Sequence, residues 1–478
     1  SLDWDSKSVY DAGVRFLGVA LEPLLGYPDL GIERMDSRHD PDAAKLAVLR
    51  ADSMLWLNIH DDEYREVDAS IGTIAPSIDS TEKVVASINP AAWLSAADQD
   101  ARDEELVKAA RVRTAILKRD HRDYLKAAEP ALDWLLAEQR DDGSWMAGSS
   151  RVESESGIEM YEEGRQHDVG VTALAVLALV RDPLTPGNEV RLSAIRRGCA
   201  YILGQRSPGF GFISNLFMSR DSQGKPAKVY TSGWIYDHAA CLQALSEASH
   251  LISSRRIRIG IEDAARILMR AKNPYGCWRY TLPANGDSDT SVTYWVVRAL
   301  LAAERAGVPL DDSVSVTVLQ FLDEMTDEGT GRIGYTERGS PSSRDPVVNQ
   351  HQFPTDSGEA LTAMGLHLCF LLGQRVEDRR TMRDHAELIA RRLPKWEPDK
   401  YGCDFSYWMP ATAAMIMMDG KYKDRWIEAL NDSLLDSQVQ GGAGDGSWPP
   451  VGPWCAFGGR VYSTAYNLMA LQYAYGVK

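Results

Sequence analysis

The stretch Asp287-Ser288-Asp289-Thr290-Ser291-Val292-Thr293-Tyr294-Trp295 places two carboxyls two residues apart, directly ahead of an apolar run. Two kinds of chemistry fit that spacing. A carboxyl buried beside a second negative charge keeps its proton to higher pH and can act as a general acid. An Asp ahead of a helix instead accepts hydrogen bonds from the free N–H groups of the first turn and suits the positive helix end. Asp287 and Asp289 are therefore candidate proton donors, with helix capping as the competing role.

The element that carries them is repeated. DTSVTYWVVRAL (289–300) aligns with DVGVTALAVLAL (168–179), so Asp289 shares a column with Asp168 and Thr293 shares one with Thr172. Four further segments take the same frame: 234–245, 353–364, 408–419 and 460–471. Each is rich in Ala and apolar nearly all round, the pattern of a helix buried on every side. Between them run amphipathic helices at 124–139, about 190–205, around 261–268, 313–325, 380–394 and 424–437. In the third of these, Ile261, Ala264, Ala265 and Leu268 fall at i, i+3, i+4 and i+7.

Six buried and six amphipathic helices in alternation predict an all-α fold, a closed (α/α)6 toroid of six inner and six outer helices. An open solenoid calls for polar capping repeats, whereas the last segment is as apolar as the others. Gly-and-aromatic turns follow most outer helices: Gln139 to Trp145, NPYGCW (273–278), GRIGY (331–335) and DGSW (445–448). A Gly ends the helix at positive φ, and the Trp is expected to pack back over the turn. Residues 1–120 do not fit the frame and are expected to form an N-terminal helical extension, with the toroid over 121–478.

At 478 residues and a formal net charge of −16, the chain has ample core, and its charge argues against nucleic acid or anionic membrane as main partner. No apolar run approaches the roughly 18 residues of a membrane span. The six cysteines are scattered singly, without metal-finger spacing. The chain begins at Ser1, consistent with a signal peptide or tag already removed; the compartment stays open.

Residues 120–478 resemble the terpenoid cyclase and protein prenyltransferase superfamily of α/α toroids. Gln139-RDD-Gly143-Ser144-Trp145 looks like its Q-x3-G-x-W motif, and Ser291-x-Thr293-x-Trp295 is similar to inner-helix segments of squalene–hopene cyclases. YDHAACLQAL, NPYGCWRY, GDSDTSVTYW and GGRVYSTAYNLMAL occur here in the order seen in prenyltransferase/squalene-cyclase repeat proteins of planctomycete-type bacteria. The resemblance implies the fold; it leaves function open, because one fold hosts many chemistries.

Two activities of that superfamily leave partial marks. Class II terpenoid cyclases protonate an alkene or epoxide from an Asp-x-Asp-Asp motif and stabilise the cations with aromatic rings; here Thr290 replaces the last Asp. Prenyltransferase subunits hold zinc with Asp and Cys of a D-x-C stretch and a later His. Cys403 occupies the Cys slot, but Tyr401 and Ser463 hold the other two, with Asp404 and Cys455 as the nearest substitutes. Zinc catalysis uses three protein ligands and an open position, so metal is expected to be absent, and no cofactor is implied.

His238 takes the column of Thr172, Thr293 and Thr464. With Asp237, His167, Asp168 and Asp356 it can form a polar cavity mouth, or it can simply be a hydrogen-bonded core histidine. The resulting expectation is a binding or scaffold toroid without a complete catalytic motif. Its axial cavity would be lined by Trp234, Tyr236, His238, Tyr294, Trp295, Tyr407, Trp408 and Tyr462, with Asp168 and Asp356 at the mouth. It would hold an isoprenoid-like ligand, a peptide or a partner subunit. The alternative is a class II isoprenoid cyclase initiated by Asp289 or Asp287.

Overall fold

The computed structural model describes residues 122–148, 167–183, 185–207, 211–214, 216–220, 226–230, 233–342, 344, 352–355 and 358–476. The expected extension over 1–120 and the candidate Asp356 lie outside them. The described residues are mainly α-helical, with twelve α-helices. These are α1 (Arg122–Ala137), α2 (Asp168–Arg181), α3 (Glu189–Gly204), α4 (Trp234–Ala248), α5 (Arg255–Arg270) and α6 (Thr290–Arg305). Then follow α7 (Ser313–Met325), α8 (Ala360–Leu371), α9 (Thr381–Ile389), α10 (Phe405–Met418), α11 (Gly420–Leu434) and α12 (Cys455–Ala474). One antiparallel hairpin, β1 (Leu216–Arg220) with β2 (Pro226–Tyr230), separates α3 from α4. Thr326–Asp327 (β3) pairs with Arg332–Ile333 (β4) after α7.

The even-numbered helices carry the core. In α2, twelve consecutive residues from Asp168 to Leu179 are buried, and α8 is buried from Ala360 to Cys369. The odd-numbered helices bury one face: α5 hides Ile257, Gly260, Ile261, Ala264, Ala265, Ile267 and Leu268 and turns its arginines outward. Each even-numbered helix packs on the next, α2 on α4, α4 on α6, α6 on α8, α8 on α10 and α10 on α12, and α12 packs back on α2. The series of contacts is cyclic.

The Gly-Trp turns hold these layers together through a repeated set of hydrogen bonds. The Trp145 indole N–H donates to Leu135 O of α1 (2.6 Å), and its backbone N–H donates to Thr172 Oγ1 of α2 (2.9 Å). Trp278 does the same with Leu268 O (2.7 Å) and Thr293 (3.4 Å), and Trp448 with Leu434 O (2.9 Å) and Thr464 (3.2 Å). The Thr column of the sequence repeat is thus a set of clamps for the preceding turn. His238 occupies that column as the acceptor for Ile213 N–H (3.0 Å).

The fourth frame needs correcting. The helix begins at Ala360 rather than 353, and Thr362 accepts the Ile333 N–H (3.2 Å). Pro354, which lacks an N–H, and Gly358 interrupt the earlier start. Ile333 also fills the Trp slot of the GRIGY turn, so Tyr335 stands two residues beyond it.

The joint between the last and first repeats is built like that between the first and second. Gln139 Nε2 donates to Ala194 O of α3 (2.8 Å), joining the first repeat to the second. Gln438 Nε2 donates to Ala127 O of α1 (2.7 Å), joining the sixth to the first. Gly143 and Gly446, at φ +87° and +82°, let each turn press on the neighbouring helix: a Cβ would lie 2.4 Å from Arg197 O and 2.3 Å from Pro130 O. Gly446→Ala is therefore expected to lower stability by about 2 kcal/mol or more. Gly373→Ala, at φ +76° just past α8 with open space around it, should cost only about 1 kcal/mol. Urea midpoints of the two variants check the difference.

Candidate functional site

Asp289 is the N-cap of α6, with extended backbone at φ −140° and ψ 153°. Its N–H donates to Trp278 O (3.0 Å), while Thr290 N–H donates to Tyr335 O (3.1 Å) and Thr290 Oγ1 to Gly334 O (2.6 Å). The cap is thus gripped by the turn before α6 and the turn after α7. Asp289 Oδ1 accepts the Val292 N–H at 2.7 Å, the bond expected of a cap. Oδ2 is buried without a hydrogen-bond partner, and Arg279 Nε lies 3.9 Å away. Burial pushes the carboxyl up to about 7, against the downward pull of the Val292 N–H, the Arg279 guanidinium, the Ser291 N–H and the Tyr335 hydroxyl.

The other acids at the starts of the buried helices are better served. Asp168 Oδ1 accepts the Ala147 N–H (2.8 Å), and Oδ2 faces Arg140 (3.5 Å). Asp237 holds His167 Nδ1 at 3.0 Å. Glu359 takes two bonds from Arg332 (2.6 and 3.1 Å), and Asp404 receives Arg344 (2.8 Å) and the Tyr407 N–H (3.1 Å). Among these described acids Asp289 alone keeps a buried oxygen without a hydrogen bond.

A group of hydroxyls surrounds it. Tyr236 OH lies 2.8 Å from Ser291 Oγ and 3.2 Å from Tyr280 OH, and Tyr280 OH lies 2.6 Å from Tyr335 OH. Burial, and then the Asp289 charge, pushes all three phenols up, so they stay neutral donors and acceptors. Tyr236, Tyr280 and Tyr335 are each partly exposed. The arrangement can hold a proton at Asp289 near neutral pH, beside a short chain of neutral hydroxyls. Tyr280 and Tyr335 were missed by sequence reasoning. Their signal is an aromatic two residues beyond the turn clamp, in CWRY and GRIGY.

Asp287 is placed differently. Its side chain is 56% exposed, accepts from Asn285 Nδ2 (3.0 Å) and pairs with Arg279 Nη1 (3.3 Å). The two carboxyls share a guanidinium rather than a proton.

The aromatic candidates divide into two sets. Tyr236 meets Trp295 (ring centroids 6.0 Å), Trp295 meets Tyr466 (6.1 Å), and Tyr466 lies tilted against Tyr462 (4.4 Å). Tyr236, Trp295 and Tyr462 are partly exposed. Trp295 and Tyr466 stand on α6 and α12, three places apart in the cyclic series. The others are built into packing. Trp234 lies tilted against Phe212 (4.6 Å) and donates to Tyr280 O (2.6 Å). Tyr407 OH bonds the backbone carbonyls near the end of α9, at Ile389 (3.1 Å) and Arg392 (2.9 Å). Trp408 packs on Phe405 (5.5 Å), and Tyr294 OH bonds His367 Nδ1 (2.9 Å).

His238 is fully buried, with Nδ1 accepting from Ile213 and Nε2 donating to Ala264 O (3.0 Å), which fixes its tautomer. Burial pulls its pKa down to about 4, so it stays neutral. Burial also pulls on His167, but the charges of Asp237 and Asp168 outweigh it and hold that imidazole above its ordinary value.

Cys403 is buried, and burial pushes its thiol up to about 12. Ser463 Oγ donates to Trp448 O (2.7 Å), and Tyr401 stands 42% exposed. Among the described residues no three His, Cys, Asp or Glu side chains converge to hold a metal ion.

No protein-family model matches the chain, and no curated protein matches it. Among solved structures it is similar to the type II terpene cyclase MstE from Scytonema, at 13% identity over 75% of this chain and 99% of that one, with a TM-score of 0.46. It is also similar to the GH76A α-1,6-mannanase of Salegentibacter sp. HEL1_6, at 10% identity over 74% and 100%, with a TM-score of 0.48. A protein from Actinoplanes matches at 16% identity over 74% and 99%, with a TM-score of 0.47. With TM-scores below 0.5, these neighbours assign no reaction to the chain. Among the described residues no helix is long and apolar enough to cross a membrane.

Proposed function

We propose that the twelve helices form a closed (α/α)6 toroid of the terpenoid cyclase and prenyltransferase type, and that its axis binds an apolar, isoprenoid-like ligand. The carrying observation is the aromatic track of Tyr236, Trp295, Tyr466 and Tyr462, which runs from α4 through α6 to α12 with three of its rings partly exposed. Partly exposed aromatics on otherwise buried helices are the lining an apolar ligand uses. The cyclic packing and the Gln438 joint support closure. In this reading Asp289 is first a helix cap, and Asp287 belongs to the surface. A peptide or partner subunit is the other occupant such a cavity can take.

A second reading is favoured by one specific observation: Asp289 combines a free buried oxygen with a pKa near 7. A protonated carboxyl there is the starting group of a class II isoprenoid cyclase. Incubation with squalene, farnesyl diphosphate and geranylgeranyl diphosphate, followed by product analysis, separates the two. Binding predicts saturable uptake and recovery of the intact compound. A cyclic product that disappears in Asp289→Asn replaces binding with catalysis, and failure to bind any isoprenoid removes both.

A further inference from the structure

Arg298 stands on α6 nine residues beyond Asp289, roughly 13 Å further along the helix, and is 4% exposed. A guanidinium does not lose its proton in a protein, so this is a buried positive charge. Among the described residues no carboxylate lies within ion-pair distance of it; its guanidinium sits 5.0 Å over the Tyr294 ring. Its charge acts on Glu247, which is already occupied. Glu247 Oε2 receives Arg181 Nε (2.7 Å), and Oε1 receives Arg181 Nη2 (2.6 Å) and Gln243 Nε2 (2.8 Å). Burial pushes Glu247 up, yet Arg181, Gln243 and Arg298 together bring it down to about 2, so it carries one full negative charge. Tyr294 supplies none, because burial pushes its phenol up.

Two guanidiniums therefore share a single carboxylate in the core, leaving one positive charge over. An unbalanced buried charge is costly to the fold. It is retained here beside the aromatic track: the Arg298 charge acts on Tyr466, which meets Tyr462 and Trp295.

We propose that Arg298 is the anchor for the head group of the axial ligand, which is an oxyanion, carboxylate or phosphate, carried on an apolar chain that lies along Trp295 and Tyr466. This rests on the reading of the axis as a binding cavity. A planar fork of N–H donors suits a two-oxygen anion, and such charge-assisted bonds are about twice as strong as neutral ones. The other end of the chain then lies towards Tyr236 and the Asp289 carboxyl.

Calorimetric titration with three C20 compounds tests it: geranylgeraniol, geranylgeranoic acid and geranylgeranyl phosphate. The wild-type protein is expected to bind at least one of the two anions about tenfold or more tighter than the alcohol, and the tighter of the two identifies the head group. Arg298→Gln should erase that preference, bringing the anions down to about the affinity of the alcohol; Arg298→Lys, which keeps the charge without the fork, should retain part of it. Equal affinity of all three for the wild type overturns the proposal and leaves the binding reading standing, as does a preference that survives Arg298→Gln. If none of the three binds, both fall. The wild-type comparison needs no variant, so it decides even if Arg298→Gln does not fold.

Discussion

At pH 8, Asp289→Asn is expected to be more stable than the wild type, by as much as about 4 kcal/mol. Burial raises the folded-state pKa of this carboxyl from an ordinary 3.8 to about 7. Between those values the folded protein binds more protons than the unfolded chain, so stability falls as pH rises through that window. Below about pH 4 the carboxyl is protonated in both states, and the penalty vanishes. Asn keeps an oxygen to accept the Val292 N–H and carries no charge to bury. Denaturant melts of both proteins at pH 4.5 and pH 8 read the effect. The gap should open in favour of the variant at the higher pH. A difference independent of pH would mean that Asp289 is an ordinary solvated cap.

Asp182→Ala should show the largest loss, on the order of 3–5 kcal/mol. Asp182 lies just past α2, buried, and receives Arg191 Nη1 of α3 (2.8 Å) and the Tyr124 hydroxyl of α1 (2.7 Å). One carboxylate thus ties together the first three helices, of which α1 and α2 both pack on α12. Alanine leaves the buried Arg191 charge and the Tyr124 hydroxyl without this partner, which costs more than the bond itself contributes. Asp182→Asn, which keeps the shape but not the charge, should fall between. Thermal unfolding of the two variants, with circular dichroism checking that helix content is retained, measures the ranking. A loss below about 1 kcal/mol for alanine would show that the network does not bind α1 to the rest.

Much of the helical order was legible because its physical causes are periodic. The amphipathic run 313–325 coincides with α7, and the Asp-x3-Thr columns of 168–172 and 289–293 mark real helix starts with their turn clamps. The frame slipped at 353–364, where apolar content continues across a Pro and a Gly that stop a helix, and column matching alone does not see backbone. At the site, the capping role of Asp289 could be read from its position. Its free oxygen could not, because whether Oδ2 meets a donor depends on side chains brought to it from outside α6. Arg298 carried a visible signal, a charge inside a segment apolar nearly all round, and the apolar pattern concealed it. What it lacks is a counter-ion, and that is decided by where Glu247 points.

The most direct test is a crystal grown with a brominated C20 isoprenoid acid, with the bromine located by anomalous scattering and the carboxylate by density. The expected complex has the carboxylate on Arg298 and the brominated chain against Trp295 and Tyr466. The outer face offers a competing cavity of about 450 Å³ beside α9 and α11, lined by residues including Leu393, Tyr422 and Arg425. Bromine found only there, or at no fixed position, would contradict an axial binding site.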